Sequence, residues 1–315
     1  MESIIKPIDK SLIKAELTKE CFLRKTNKAA NKIYILNAFN APNVMREIGR
    51  LREIDFRAAG GGTGMEADID KFDTMEEPCQ QLIVWNPEAE EIVGGYRFVL
   101  GENVKLDDDL QPMLATAHLF NFSKEFIDNY LPYTVELGRS FVRLEYQSTQ
   151  AGAKSLFTLD NLWDGLGALV VKYPQLRYYF GKVTMYPSFG SIGRDLILFF
   201  LQKHFSDPEK LVTPINELQL ESDMQKLKVT FNKSNMKDNY KILNREIRNL
   251  GQNIPPLVNA YMNLSNTMKV FGTAVNDEFG DVEETGILIT VADIYKEKRD
   301  RHIETYISEL QKKYA

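Results

Sequence analysis

At 315 residues, with 43% apolar and 26% charged residues, the chain reads as an ordinary globular protein able to bury a sizeable core, in one large domain or two small ones. A net charge of −5 leaves no global basic field and removes any general argument for nucleic-acid binding. The opening MESIIKPIDKSLIKAEL lacks the apolar core of a signal peptide, the longest apolar run (LILFFL, 196–201) is too short to span a bilayer, and Cys21 and Cys79 alone make no disulfide framework, so a cytoplasmic location is expected.

In chain order, residues 9–32 mix charged and apolar positions and predict one or two amphipathic helices, followed by a short strand at 33–36. Residues 43–57 follow Pro42 and predict a helix with Val44, Ile48 and Leu51 on one face and Arg52 and Phe56 on a neighbouring one. The glycine-rich 60–64 ends it; without a Gly-Lys-Ser/Thr ending or a preceding strand it is no nucleotide loop, and a flexible substrate-covering loop is expected. The acidic run Asp68-Ile-Asp70-Lys-Phe-Asp73 lacks the glycine and final glutamate of a calcium loop, so no metal is expected there.

Residues 81–85 and 91–100 alternate as a hairpin, with Arg97 near the end of its second strand. A strand follows within 133–147, then a helix over 155–173 with a leucine-rich stripe, a strand at 177–185 and an apolar helix at 192–205. Residues 206–250 are polar and lysine-rich and read as an insertion or partly mobile excursion. A helix from Pro255-Pro256 to Met268, strands at 269–277 and 286–291 and a charged C-terminal helix complete an α/β pattern, a mixed sheet flanked by helices.

The segment YTVELGRSFVRLEYQ places Glu136 and Arg139 inside an otherwise apolar strand, where an unpaired charge is costly. Alternation would point the two to opposite faces unless the strand bends between them, and Gly138 is the expected bend. An internal salt bridge explains such a pair; so does a general base beside a substrate-positioning cation. Nucleophilic catalysis has little support. Gly138-Arg-Ser140-Phe-Val142 lacks the second glycine of a nucleophile elbow, His118, His204 and His302 fall in no triad or metal spacing, and Cys79 follows Pro78 with no histidine nearby. Acid/base and electrostatic chemistry remains, and transfer to an amine needs little else: a base for the ammonium proton, donors for the oxyanion and a groove for both substrates.

The ordered set Arg52-x3-Phe56, Asp70-x2-Asp73, Gly94-Gly-Tyr-Arg97 and Glu136-x2-Arg139 resembles the acyl-homoserine-lactone synthases. It is closer to the hemolysin-like N-acyltransferases that make ornithine and glycine lipids, both within the GNAT acyltransferase superfamily. With LWDGLGALVVKY, YYFGKVTM and IPPLVNAYMNLS…GTAVNDEFGDVEETGILITV, the resemblance extends over about residues 40–292. It implies a GNAT-like, largely antiparallel central sheet flanked by helices, with residues 1–39 as an N-terminal helical extension, 40–292 as the acyltransferase domain interrupted at about 206–250, and 293–315 as a C-terminal helix.

The resemblance further implies transfer of a fatty acyl group from the phosphopantetheine thioester of an acyl carrier protein, or of coenzyme A, to an amino-acid amine, with no bound cofactor. Glu136 is similar to the family's proposed base, and Arg52, Asp70, Asp73, Arg97 and Arg139 match its electrostatic network. Glycines at 60–64 stand where the lactone synthases carry a tryptophan. The usual pyrophosphate loop is replaced by QSTQAGAKS, where Gln147, Gly152, Lys154 and Ser155 are the expected phosphate contacts. Lys154, Lys172, Arg177, Arg194 and Lys203 are candidates for a carrier-protein patch, residues 178–205 for lining an acyl cleft, and peripheral membrane contact is a further expectation. Two rival readings are a GNAT enzyme with a polyamine or homoserine-like acceptor and a non-catalytic domain that binds acyl carrier or lipid.

Overall fold

The computed structural model describes residues 1–147 and 157–314. They form two compact units: Met1–Asn103 with Val135–Arg177 and Tyr295–Ala315, and Val104–Thr134 with Tyr178–Ile294.

In the first unit, strands β1 (Phe22–Lys25), β2 (Lys32–Leu36), β3 (Gln80–Asn86), β4 (Glu91–Leu100) and β6 (Thr134–Val142) hydrogen-bond in that order, every pair antiparallel. The β1 strand is a correction, since residues 9–32 read as helical; only α1 (Lys10–Glu16) is. Arg24 hides the strand signal: it is 2% exposed, with its guanidinium over the Tyr306 ring.

Helix α2 (Pro42–Ala59) begins with Pro at its first turn, where the missing N–H costs nothing. The Glu16 carboxylate accepts from the next amides, Asn43 at 3.1 Å and Val44 at 2.8 Å, and left-handed Gly60 closes the helix. Gly60–Gly64 is tied down. The buried Glu53 carboxylate accepts from the amides of Thr63 and Gly64 and from the Thr63 hydroxyl, and Arg57 braces it at 2.7 Å.

Helices cover both faces of the β3–β4 region. Arg52 of α2 reaches Gln81 on one face, while helix α4 (Thr158–Lys172) lays Gly165 against Leu82 on the other. Alternation along β3 makes these faces opposite. The C-terminal segment, helices Lys296–Arg299 and Thr305–Tyr314, is fastened to α4 by His302, whose Nδ1 is 2.8 Å from Asp164.

In the second unit, β7 (Tyr178–Met185), β10 (Val282–Thr290) and β9 (Lys269–Asn276) form an antiparallel sheet, and β5 (Phe120–Phe122) pairs with β8 (Val212–Pro214). Helix α5 (Ser191–Phe205) carries the apolar run read from sequence. The lysine-rich excursion carries two helices, α6 (Met224–Thr230) and α7 (Met236–Asn249), and it is anchored. Leu227, Phe231, Leu243 and Ile247 are buried, and Phe231 and Tyr240 pack against Phe200. Helix α8 (Pro256–Met262) is shorter than the expected run to Met268. No helix among the described residues is long and apolar enough to cross a membrane.

Candidate active site

All the charged residues singled out in sequence, from Arg52 to Arg139, belong to the first unit. Their placement starts with α2, which points fully buried Arg52 at the sheet. Its Nη1 is 3.4 Å from Asp73, and Nη2 donates to the Gln81 side chain. One turn earlier stands Gly49. A Cβ there would lie 2.6 Å from the Ile69 side chain, so glycine lets the 68–70 segment lie on the helix, where the Asp68 amide donates to the Gly49 carbonyl at 3.0 Å.

Immediately beyond, α3 (Lys71–Thr74) is a single turn closed by a capping box. Asp70 accepts from the Phe72 amide at 2.9 Å, and Asp73 accepts from the Asp70 amide at 3.2 Å. The two carboxylates fixed by this turn are those the arginines use. Arg97 on β4 donates to Asp70 at 2.6 Å and to Asp73 at 3.2 Å, and its guanidinium lies 5.6 Å over the Phe72 ring. Arg139 on β6 holds Asp68 at 2.9 Å and Asp70 at 3.4 Å. The result is a continuous chain of alternating sign, Arg52–Asp73–Arg97–Asp70–Arg139–Asp68. Such pairing is what makes tolerable the burial of Arg52, Asp68, Asp73 and Arg97 and the partial burial of Asp70 and Arg139. Asp68 and Gln81 are members that the sequence reading left out.

Burial pulls the Arg52 guanidinium down from its ordinary pKa, with Asp73 and Asp68 opposing. For Arg97 the balance runs the other way: burial lowers it, but Asp73 and Asp70 overcome that and raise it. Burial pushes Asp70 up, and the charge and hydrogen bond of Arg97 outweigh it, holding the carboxyl below the usual range.

Strand β6 brings Glu136 and Arg139 to this network, though Gly138 does not make the bend. Along the ladder Arg97 faces Gly138 and Gly95 faces Phe141, so Tyr96 alone stands opposite both Arg139 and Ser140, a one-residue bulge. The left-handed residue is Arg139 itself, at φ 47°, while Gly138 keeps an ordinary negative φ. The bulge breaks the alternation after Gly138 and lets Arg139 reach Asp70, which Arg97 also holds. Glu136 is 5% exposed, lies opposite Val99 and shares a sheet face with Arg97 and Gln81.

Cys79 sits in the same electrostatic surroundings. Burial pushes its thiol up to about 12, Arg97 pulling against the rise and Glu136, Asp73 and Asp70 adding to it. A thiol so held is protonated at neutral pH and is a poor nucleophile.

Of the four expected phosphate contacts, one lies among the described residues. The Gln147 side chain turns back to donate to the Val142 carbonyl, and Gly152, Lys154 and Ser155 lie outside the described residues. Of the expected carrier-protein patch, Lys154 is likewise outside them, and Arg194 is taken up by Asp195, Glu221 and Glu283 at 2.6–2.9 Å. Among the described residues no group of His, Cys, Asp and Glu gathers as a metal site.

A family model described as an acetyltransferase (GNAT) domain matches residues 51–156, which include Arg52, Asp68, Asp70, Asp73, Arg97, Glu136 and Arg139. A glycine N(alpha)-acyltransferase of Bacteroides thetaiotaomicron is 66% identical over 98% of this chain and 91% of its own length. A second glycine N(alpha)-acyltransferase, from Phocaeicola vulgatus, is 62% identical over 98% of this chain and 95% of its own. A solved structure, FeeM, an N-acyl amino acid synthase from uncultured soil microbes, aligns over 84% of this chain and 93% of its own at 11% identity and a TM-score of 0.41. By near full-length identity to both curated relatives and the GNAT match over its charged site, the chain belongs to the N-acyltransferase branch of the GNAT superfamily and is an acyltransferase.

Proposed function

We propose that this chain transfers a fatty acyl group from the phosphopantetheine thioester of an acyl carrier protein to the amine of glycine, giving an N-acylglycine for aminolipid synthesis in the cytoplasm. The names of the two full-length relatives support glycine as acceptor. The observation that carries the mechanism is a buried carboxylate, Glu136, on the same sheet face as Arg97, with the nearby thiol raised out of reach of the thiolate form.

Glu136 takes a proton from the glycine ammonium, and the freed lone pair attacks the thioester carbonyl carbon. The C–N bond forms, and the nitrogen, still carrying one proton too many, gives up a second. The tetrahedral centre collapses with loss of the C–S bond; of the two protons released, one leaves on the departing thiol and the other passes to solvent. No acyl-enzyme intervenes. The alternating arginine–aspartate chain fixes the strand and its charges before substrate arrives, so little reorganisation remains for the transition state.

The test is reconstitution. Purified protein, an acyl carrier protein loaded with a long-chain acyl group and glycine should give N-acylglycine by mass spectrometry. Product only from polyamines or homoserine, or thioester binding without any amide product, would overturn the proposal.

A further inference from the structure

Gly138 has a glycine that neither its backbone nor its packing requires. Its φ is negative, so a side chain meets no backbone strain, and a Cβ built there has no described heavy atom within 4 Å. Gly94 and Gly95 on the neighbouring strand differ: a Cβ would lie 2.5 Å from the Phe141 carbonyl oxygen and 2.6 Å from that of Leu82. Glycine in a strand interior weakens the strand and often marks a bulge or the close approach of a ligand; Gly138 stands beside the bulge, whose left-handed residue is Arg139.

The open position is bordered by charge. Gly138 faces Arg97 directly across the ladder and shares its sheet face with Glu136, two residues back, about 6–7 Å along the strand. The network members that reach furthest toward solvent are Asp70, with 28% of its side chain exposed, and Arg139, with 16%; the side chains of Arg52 and Asp73 are fully buried. A small zwitterion suits such surroundings, its ammonium toward the carboxylates and its carboxylate toward the guanidinium groups. An aliphatic acyl chain does not.

We propose that the space over Gly138 holds the acceptor amino acid, and that the missing side chain sets how large an acceptor fits beside Glu136. This rests on the reading of the reaction as amino-acid N-acylation.

The experiment measures acceptor and donor KM for Gly138→Ala, Gly138→Val and Gly138→Leu, with wild type alongside and melting curves for each. Since no described atom crowds the site, Gly138→Ala should melt at or above the wild-type temperature, as expected where a new Cβ meets no strain. The acceptor KM should climb through the series, by roughly tenfold or more at Val, with larger amino acids lost before glycine and the donor KM unchanged. A stable Ala variant and Val and Leu variants with wild-type acceptor KM would overturn the proposal. So would a rise confined to the donor KM, which would place the thioester there. If wild type itself acylates no amino acid, the reading of the reaction fails and this proposal with it; product from wild type with an unmoved acceptor KM sinks the proposal alone.

Discussion

Nη1 of Arg97 lies 2.6 Å from an Asp70 oxygen and 3.2 Å from an Asp73 oxygen, so both capping carboxylates of one helical turn converge on a single guanidinium nitrogen. The cap of α3 and the charged site are therefore one structure: what loosens the turn also loosens Arg97, and through Asp70 it loosens Arg139.

Asp73 is the most heavily used member, accepting from Arg97, Gln81 and the Asp70 amide and pairing with Arg52, with no exposure. Asp73→Ala leaves two buried guanidinium groups short of a partner and should cost about 3–5 kcal/mol of stability in urea unfolding. A loss below about 1 kcal/mol, the scale of an exposed pair, would contradict the picture of an interdependent network.

Asp70 carries a pH signature. Burial raises its pKa, but the pairing with Arg97 and then Arg139 prevails, and the folded-state value falls below the unfolded one. Its stabilisation is present above about pH 4, the unfolded value, and disappears as pH falls through the lower folded value. Asp70→Asn should flatten that acid limb of the stability–pH curve, and an unchanged limb would count against the pairing.

Asp55 predicts the opposite trend. Neither of its oxygens makes a hydrogen bond of ordinary geometry among the described residues, and burial pushes the carboxyl up to about 8, with the Leu144 amide and Arg143 pulling against the rise and Glu145 adding to it. Between about pH 4 and 8 the folded state binds the proton that the unfolded state has released, so stability falls as pH rises through that window. Asp55→Asn should lessen the fall, measured as melting temperature between pH 5 and 8.5. An identical slope in the variant would show that the carboxyl is already ionised.

Cys79→Ala should keep acyl transfer within about threefold of wild type, and intact-protein mass spectrometry of wild type under turnover should show no acyl adduct. A trapped acyl-enzyme on Cys79, or loss of turnover in a folded Ala variant, would replace direct attack with a two-step route.

Part of this site was legible because charges are conspicuous in apolar strands and helices. Arg139 stands out for that reason; Arg52, Asp70, Asp73 and Arg97 stand out as a set through the family resemblance, and the structure joins all five. Asp68 lay in the same acidic run, but its contact with Arg139 spans 71 residues and depends on Gly49 letting the segment lie on α2, which no local pattern announces. Gln81 left a fainter signal, a polar residue at the start of an apolar strand, and only the hairpin register places it opposite Arg97. The bend in β6 was read at the wrong residue. Glycine is the usual occupant of the left-handed region, yet Arg139 takes it, held there by Asp68 and Asp70 against an intrinsic cost of about 1–2 kcal/mol. In 224–250, lysines obscured the four-residue spacings Leu227–Phe231 and Leu243–Ile247 that anchor both helices.

The role of Glu136 is tested most directly by the turnover of Glu136→Gln, a near-isosteric change that removes the base while keeping the side chain's size. With acyl carrier protein thioester and glycine, kcat should drop by about 10²–10⁴, with the donor KM and the melting temperature close to wild type. Near wild-type turnover in the folded variant would contradict the account and leave Glu136 as a structural carboxylate.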